Sequence, residues 1–286
     1  MSVKYTIKKI ISLIKTELND HYPFQEINSF VFLLIHHYFG YTKVELQLKQ
    51  DEEVNDNLAA QIIQDVEELK INKPIQYILE KTEFYSLPFI LGQGVLIPRP
   101  ETEELVDWII AENNNQNQTI ADIGTGSGCI AISLAKNLNQ SKVYAFDNSS
   151  EALSITRRNS KLNRVKVHSK FFDILHKENA PDKTFDIIVS NPPYVTEKEK
   201  QLMHSNVLDY EPGSALFVPD NNPLLYYKAI TDFALQHLKK GGKLYLEINE
   251  NFGKETAILL EEKKFQNITL KKDINGKDRM LRGILK

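Results

Sequence analysis

The 286-residue chain is 42% hydrophobic and 26% charged, which excludes an intrinsically disordered chain and leaves room for one large α/β domain with a small companion. Its 35 basic and 38 acidic residues leave a net charge of −3, so no general electrostatic pull toward nucleic acid exists and no direct nucleic-acid binding is expected. A single cysteine, Cys129, excludes an intramolecular disulfide and a cysteine-built zinc site, which fits a reducing, cytoplasmic setting.

The first elements read as helices. Ile7, Ile10, Ile11, Ile14 and Leu18 recur at the spacing of one helical face. Their apolar stretch is too short, and too soon interrupted by Lys15 and Glu17, for a signal peptide. Asn28 or Ser29 is expected to cap a second helix through Val31–Phe39, with Gly40 ending it. That apolar run contains His36 and His37 and falls far short of the ~20 residues that span a bilayer, so no membrane association is expected. Leu58, Ile62, Val66 and Leu69 mark a further amphipathic helix, stopped near Pro74. Residues 1–74 are therefore expected to form a small helical bundle whose aliphatic stripes are core.

Residues 75–97 mix aromatic and β-branched residues with Pro88, Gly92 and Gly94, the pattern of a hairpin or linker. Residues 98–286 are expected to form the main domain. There Glu101, Glu103 and Glu104 precede Leu105, Val106 and Ile109, and acids suit the positive end of a helix dipole. Strands are expected at Ile120–Ile123, Val143–Phe146, Val165–Val167, Phe185–Val189 and Lys243–Ile248. Helices are expected at Ile130–Leu138, Glu151–Leu162 and Leu224–Leu238, with Gly241-Gly242 as a turn and the Asn/Gln-rich stretch 113–118 as a solvated loop. This alternation predicts an α/β fold with a mostly parallel, doubly wound sheet.

The segment Asp122-Ile-Gly124-Thr125-Gly126-Ser127-Gly128 lies between a predicted strand and helix, where glycines permit a tight turn and close approach of a ligand to the backbone. Glycines at a plain strand-to-helix turn are the bland alternative. A dinucleotide fingerprint would need glycine at position 129, which is Cys129. Asp147 ends the second strand about 20 residues further on, where an acid can accept hydrogen bonds from a ribose. Followed by Asn148, Ser149 and Ser150, it also suits a helix cap. Loop and acid together resemble the class I methyltransferases.

Asn191-Pro192-Pro193-Tyr194 follows the strand Phe185–Val189, at the carboxyl edge where open α/β sheets bind ligands. The consecutive prolines stiffen the turn and remove backbone donors. What remains are two acceptors, the Asn191 side-chain oxygen and the Pro192 carbonyl, suited to the two hydrogens of an NH2 group, while Tyr194 offers an aromatic face to a planar group. Two such acceptors can orient a weakly nucleophilic amide nitrogen and favour the positive charge that develops as a methyl group is transferred. A Pro-rich turn with Asn191 bonded to its own backbone is the structural alternative.

Other segments make the resemblance specific. Pro74-Ile-Gln-Tyr77-Ile, Phe84-Tyr85, Val95 to Val106, Ala121 to Ala131, Ile188 to Val195, Tyr210-Glu-Pro212 with Ala215-Leu216, Glu247-Ile248, and Lys272-Asp273 with Arg279 resemble the family that methylates a glutamine in bacterial peptide chain release factors. The likeness covers roughly residues 74–286. It implies a seven-stranded class I methyltransferase sheet and S-adenosylmethionine as cofactor. It also implies a release factor as protein partner, with the target glutamine in a Gly-Gly-Gln loop. The resemblance assigns Gly124 to Gly128, Asp147, Asp173, Ile174 and Asn191 to the cofactor. It assigns Asn191, Pro192, Pro193 and Tyr194 to the glutamine, with Asn191, Pro192 and Tyr194 as the catalytic set. The N-terminal helices and hairpin would help hold the release factor.

Some positions depart from the family pattern. Glu80 stands where glycine is usual, Pro219 to Leu224 replaces an Asp-Gly-Leu segment, Asn249 replaces a glycine after Glu-Ile, and Ile174 replaces an aromatic residue.

Rival functions share part of this chemistry. The same acceptors could serve an exocyclic amino group of DNA or RNA, or a glutamine of a ribosomal protein, and the fold could be a binding module without catalysis. Among remaining residues, Trp108 is expected to pack a helix onto the sheet and Asp186 to be structural. Arg99 is expected to pair with Glu101 or to position the cofactor side, and Lys198 to Lys200 to form a solvated run. The seven histidines show no metal-ligand spacing.

Overall fold

The computed structural model describes residues 5–113, 117–176 and 180–286, so the middle of the Asn/Gln-rich stretch, 114–116, lies outside the described residues. The chain forms two compact units. One holds the residues up to Glu80 with Ser205–Tyr210, the other Lys81–His204 and Glu211–Lys286.

In the first unit, α1 (Ile7–Leu18) starts where the Thr6 hydroxyl accepts from the Lys9 amide. Ile7, Ile10, Ile14 and Leu18 are fully buried, while Ile11 stays partly exposed at the edge of the stripe. The second helix, α2 (Phe24–Phe39), begins at Pro23 rather than at Asn28 or Ser29. Both of those side chains instead donate to the carbonyls four residues back, Phe24 and Gln25, an alternative open to short polar residues inside a helix. Gly40 ends α2 at φ 71°, the left-handed conformation that favours glycine. A short helix absent from the sequence reading, α3 (Lys43–Leu48), is started by a reciprocal Thr42–Glu45 capping box. Asn55 caps α4 (Asp56–Lys70), which ends before Pro74; that proline opens a short turn at Ile75–Ile78 instead. Leu34 and Ile35 of α2 join the α1 stripe and Ala59, Ile62, Val66 and Leu69 in one apolar core.

The second unit opens with a hairpin, β1 (Lys81–Phe84) and β2 (Leu87–Ile90). Its two central residues, Tyr85 and Ser86, both take positive φ (50° and 57°), the turn whose twist matches paired strands. Then follow α5 (Pro100–Glu112), β3 (Thr119–Ile123), α6 (Cys129–Asn137), β4 (Lys142–Asp147), α7 (Ser150–Leu162), β5 (Val167–Phe171), β6 (Phe185–Ser190), α8 (Leu225–His237), β7 (Leu238–Glu247), α9 (Gly253–Glu262), β8 (Phe265–Lys272) and β9 (Asp278–Leu285). The seven-stranded sheet has the order β8-β9-β7-β6-β3-β4-β5. Strands β7 through β5 run parallel, and β9 is antiparallel to both its neighbours.

Two elements differ from the sequence expectation. The third strand begins at Val167, because Arg164 (φ 56°) and the Val165 amide, bonded to Ser160, still belong to the turn that closes α7. Gly241-Gly242 does not break the chain: β7 passes through with a register shift between Leu238 and Lys243. A Cβ on Gly242 would lie 2.8 Å from the Lys239 carbonyl, so glycine there allows the bulge. No strand is read from the residues of β8 and β9, where charged and polar residues interrupt the alternation; β8 is the edge strand and β9 lies between it and β7. The parallel strands β3, β4, β6 and β7 all end on one edge, and β3, flanked by β4 and β6, is the point where strand order reverses.

Candidate active site

The glycine loop follows β3 and is held by its neighbours. The amides of Gly124 and Thr125 both donate to the Phe146 carbonyl, at 2.9 and 3.0 Å. Thr125 donates its hydroxyl to Asp122 at 2.6 Å. Burial pushes the Asp122 carboxyl up to about 7, against the opposing pull of that hydrogen bond. Gly126 (φ 54°) and Gly128 (φ 82°) play different parts. A Cβ on Gly126 would meet nothing within 4 Å, so the bare backbone borders open space. A Cβ on Gly128 would sit 2.9 Å from the Thr156 methyl, so this glycine lets α6 and α7 approach closely. Asp147, at the end of β4, accepts from the Gly126 amide at 2.8 Å and from the Ser149 amide at 2.9 Å. Burial raises its pKa above the ordinary carboxylate value. The α7 cap itself is Ser149, whose hydroxyl accepts from Ala152. Asp147 therefore anchors the loop and still has lone-pair capacity for a ligand.

A cleft opens over these strand ends. Its floor is Ile123, Gly124 and Gly126, with Asp147, Asn148 and Ser149 along one side and Ser190 to Pro193 along another. Apolar walls come from Ala152, Phe172, Ile174, Tyr226 and Ile230, and Gly94 to Leu96 with Ser214 and Ala215 complete the rim. Of the residues singled out from sequence, Gly124, Gly126, Asp147, Ile174, Asn191, Pro192 and Pro193 border this space. Thr125, Ser127, Gly128, Asp173 and Tyr194 stand behind it. Asp173 accepts from the Leu175 amide at 2.9 Å and meets His176 Nδ1 at 2.8 Å. Phe172 and Tyr226 were missed: the aromatic sought after Asp173 lies before it, and Tyr226 is far away in sequence.

The tetrapeptide is fixed from both ends. Ser190 donates to the Ile123 carbonyl at 2.6 Å, tying the ends of β6 and β3 together. The amides of Tyr194 and Val195 both donate to Leu216, and Val195–Thr196 pairs in parallel with Phe217–Val218. The Asn191 Nδ2 donates to the Thr102 hydroxyl at 3.2 Å, and that hydroxyl donates to Glu247 Oε2 at 2.6 Å. Tyr194 donates to the other carboxylate oxygen, Oε1, at 2.9 Å. Burial raises the pKa of Glu247, opposed by these hydroxyls and by the Arg279 guanidinium. Arg279, at the start of β9, is itself held by Asp273 at 3.1 Å. Burial likewise holds the Tyr194 phenol well above its ordinary value. Among the described residues, no protein donor engages the Asn191 side-chain oxygen or the Pro192 carbonyl.

Other expectations meet mixed outcomes. Arg99 pairs with buried Glu211, not with Glu101, and Glu211 also accepts from the Ile97 amide at 3.3 Å, fastening the stretch that rims the cleft. Trp108 packs edge-on against Tyr245 of β7, centroids 5.4 Å apart. Asp186 is structural, bonded to the Thr119 amide and Lys239. The Lys198–Lys200 run is not a uniform solvated face, because Glu199 within it turns inward to Thr196, Asn249 and Asn251.

Residues 102–213 match the family model "Methyltransferase small domain", and residues 12–79 match "PrmC N-terminal domain". The release factor glutamine methyltransferase of Flavobacterium psychrophilum is 49% identical over 262 residues, covering 90% of this chain and 92% of that protein. The one from Bacteroides thetaiotaomicron is 42% identical over 275 residues, covering 96% and 99%. This chain belongs to the release factor glutamine methyltransferase family. A methyltransferase from Pyrococcus furiosus shares the fold at a TM-score of 0.52 and 18% identity, over 80% of this chain and 98% of that one. Two departures from the family pattern now have a structural context. Glu80, in the place of a glycine, holds φ 53°, a conformation glycine enters without strain. Asn249, in the place of another, donates to the Tyr194 carbonyl at 3.0 Å and to Glu199 at 2.9 Å, adding a clamp on the tetrapeptide that glycine has no side chain to make.

Proposed function

We propose that this protein transfers a methyl group from S-adenosylmethionine to the side-chain amide nitrogen of a glutamine, in the Gly-Gly-Gln loop of a peptide chain release factor. The observation that carries the reading is the pair of acceptors at the end of β6, the Asn191 oxygen and the Pro192 carbonyl, beside a cleft with a bare glycine floor and an acid at the end of the next strand. The names of relatives 49% and 42% identical support the release factor as substrate. The cleft fits the cofactor: Asp147 faces where ribose hydroxyls would lie, Gly126 leaves the loop backbone open, and Phe172, Ile174, Tyr226 and Ile230 offer an apolar wall for a purine.

When bound, the cofactor supplies an electrophilic methyl group on a sulfonium. The chain's own residues supply geometry. Asn191 and Pro192 would each accept one hydrogen of the glutamine NH2, which turns the nitrogen lone pair toward the cleft and lets both acceptors stabilise charge as it develops, one of the two hydrogens being released as a proton to water once the N–methyl bond has formed. Pro193 keeps this turn rigid. The first unit, with a core of its own, is assigned to holding the rest of the release factor.

The test is single-turnover methylation with labelled S-adenosylmethionine and purified release factor, followed by peptide mapping. Wild-type protein should label the Gly-Gly-Gln glutamine. Asn191→Ala should keep donor affinity but lose on the order of 10²-fold in rate, the scale of a misplaced reacting group. Label that persists after the glutamine is replaced, or that appears only on added DNA or RNA, would overturn the assignment.

A further inference from the structure

Behind the two acceptors lies a buried carboxylate with no role in the reading so far. Glu247 ends β7, next to the strand that carries the tetrapeptide, and receives one hydroxyl on each oxygen: Thr102 on Oε2 at 2.6 Å, Tyr194 on Oε1 at 2.9 Å. The Thr102 hydroxyl has a single proton, and donating it to Glu247 leaves that oxygen only able to accept. It accepts from Asn191 Nδ2 at 3.2 Å. The direction of each hydrogen bond therefore follows from the carboxylate: acceptor at Glu247, relay at Thr102, donor at the Asn191 NH2. An amide whose NH2 is so engaged must turn its oxygen the other way. Burial raises the pKa of Glu247; the two hydroxyls and Arg279, whose Nη1 lies 3.5 Å from the Tyr194 hydroxyl, act against that in favour of the charged form.

We propose that Glu247, acting through Thr102, is a positioning residue for methyl transfer: it sets the orientation of the Asn191 amide so that an oxygen, not an NH2 group, meets the substrate amide, while its second oxygen holds Tyr194 at the other end of the turn. This rests on the reading that Asn191 accepts from the glutamine NH2. A reversed Asn191 would point donors at donors and lose that hydrogen bond. Thr102 is the sensitive link. It sits in the first turn of α5, held among charged neighbours, and is nonetheless buried.

The experiment compares Thr102→Ser, Thr102→Val and Glu247→Gln with wild type and Asn191→Ala in the full chain. It measures donor affinity by calorimetry, and kcat and KM on release factor. Valine keeps the shape of threonine and removes the relay. Glutamine keeps the shape of Glu247 but must turn an NH2 toward one of the two hydroxyls. The expected result is near-wild-type kcat for Thr102→Ser. Thr102→Val and Glu247→Gln should lose about tenfold or more in kcat, with KM and donor affinity within about twofold of wild type. Should Glu247→Gln fail to fold, the Val and Ser pair at Thr102 decides alone; should Thr102→Val also fail, Thr102→Ala takes its place. Full kcat in folded Thr102→Val or Thr102→Ala, or a loss confined to donor affinity, overturns the proposal. If Asn191→Ala itself stays active, it is the parent reading that falls.

Discussion

At the scale of single residues, charge held out of water dominates the site. Asp122 is fully buried, and its carboxyl is pushed up to about 7 by that burial. The sign follows directly. Between the ordinary carboxylate range and about 7 the folded state binds a proton that the unfolded state releases, so this contribution to stability is complete at low pH and is lost as pH rises through about 7. Asp122→Asn removes the charge but keeps an oxygen for the Thr125 hydroxyl. The melting temperature of the variant relative to wild type should therefore climb between pH 5 and pH 8, by about 2–4 °C for each kcal/mol of relief. Scanning calorimetry at several pH values checks this; parallel pH profiles would mean that the buried acid does not titrate in that range.

At the scale of elements, the strand–loop–helix from β3 to α6 shows that glycines close together in sequence can be needed for different reasons. Gly124 (φ 73°) and Gly128 (φ 82°) share a backbone conformation, but only Gly128 is crowded, by Thr156 and by Ile132 of its own helix. Gly124→Ala should cost about 1 kcal/mol, the strain of a left-handed residue. Gly128→Ala should cost about 2–4 kcal/mol, because overpacking adds to that strain. Urea denaturation of the two variants measures the gap, and equal losses would deny the close approach of α7. The same element scale explains why α2 was misread at its start. Asn28 and Ser29 look like caps in sequence, yet the helix is carried past them by a buried stripe that includes Ile27, Phe30 and Val31.

For the molecule as a whole, each unit has its own apolar core: Ile7 to Ile75 in the first, the two faces of the sheet in the second. Every residue bordering the cleft, from Gly94 to Ile230, belongs to the second. A chain beginning at Lys81 is expected to bind S-adenosylmethionine within a few-fold of the full protein. On intact release factor it should lose about tenfold or more in kcat/KM, since binding energy far from the reacting atoms is removed. A short Gly-Gly-Gln peptide should be methylated by both. Calorimetry and a two-substrate rate comparison test this, and equal rates on intact release factor would remove the first unit from recognition.

The local order of residues was enough for the α/β alternation, the glycine loop, Asp147 and the Asn-Pro-Pro-Tyr turn. Each is a contiguous segment whose backbone demands, positive φ, fixed φ or a strand end, are written in neighbouring residues. Strands β8 and β9 were not legible, because polar and charged residues interrupt the alternation in both, in the edge strand β8 and in β9 beside it. The partners that aim the site were not legible either. Thr102, Glu247 and Arg279 come from a helix and two strands, and Asn191 lies 89 positions from Thr102. Glu211 and Asn249 were marked in the sequence as motif positions, but not the partners they hold. No periodicity encodes which distant hydroxyl a buried carboxylate will find. That is decided when the sheet closes and each polar group shut away from water must take a partner within hydrogen-bond reach.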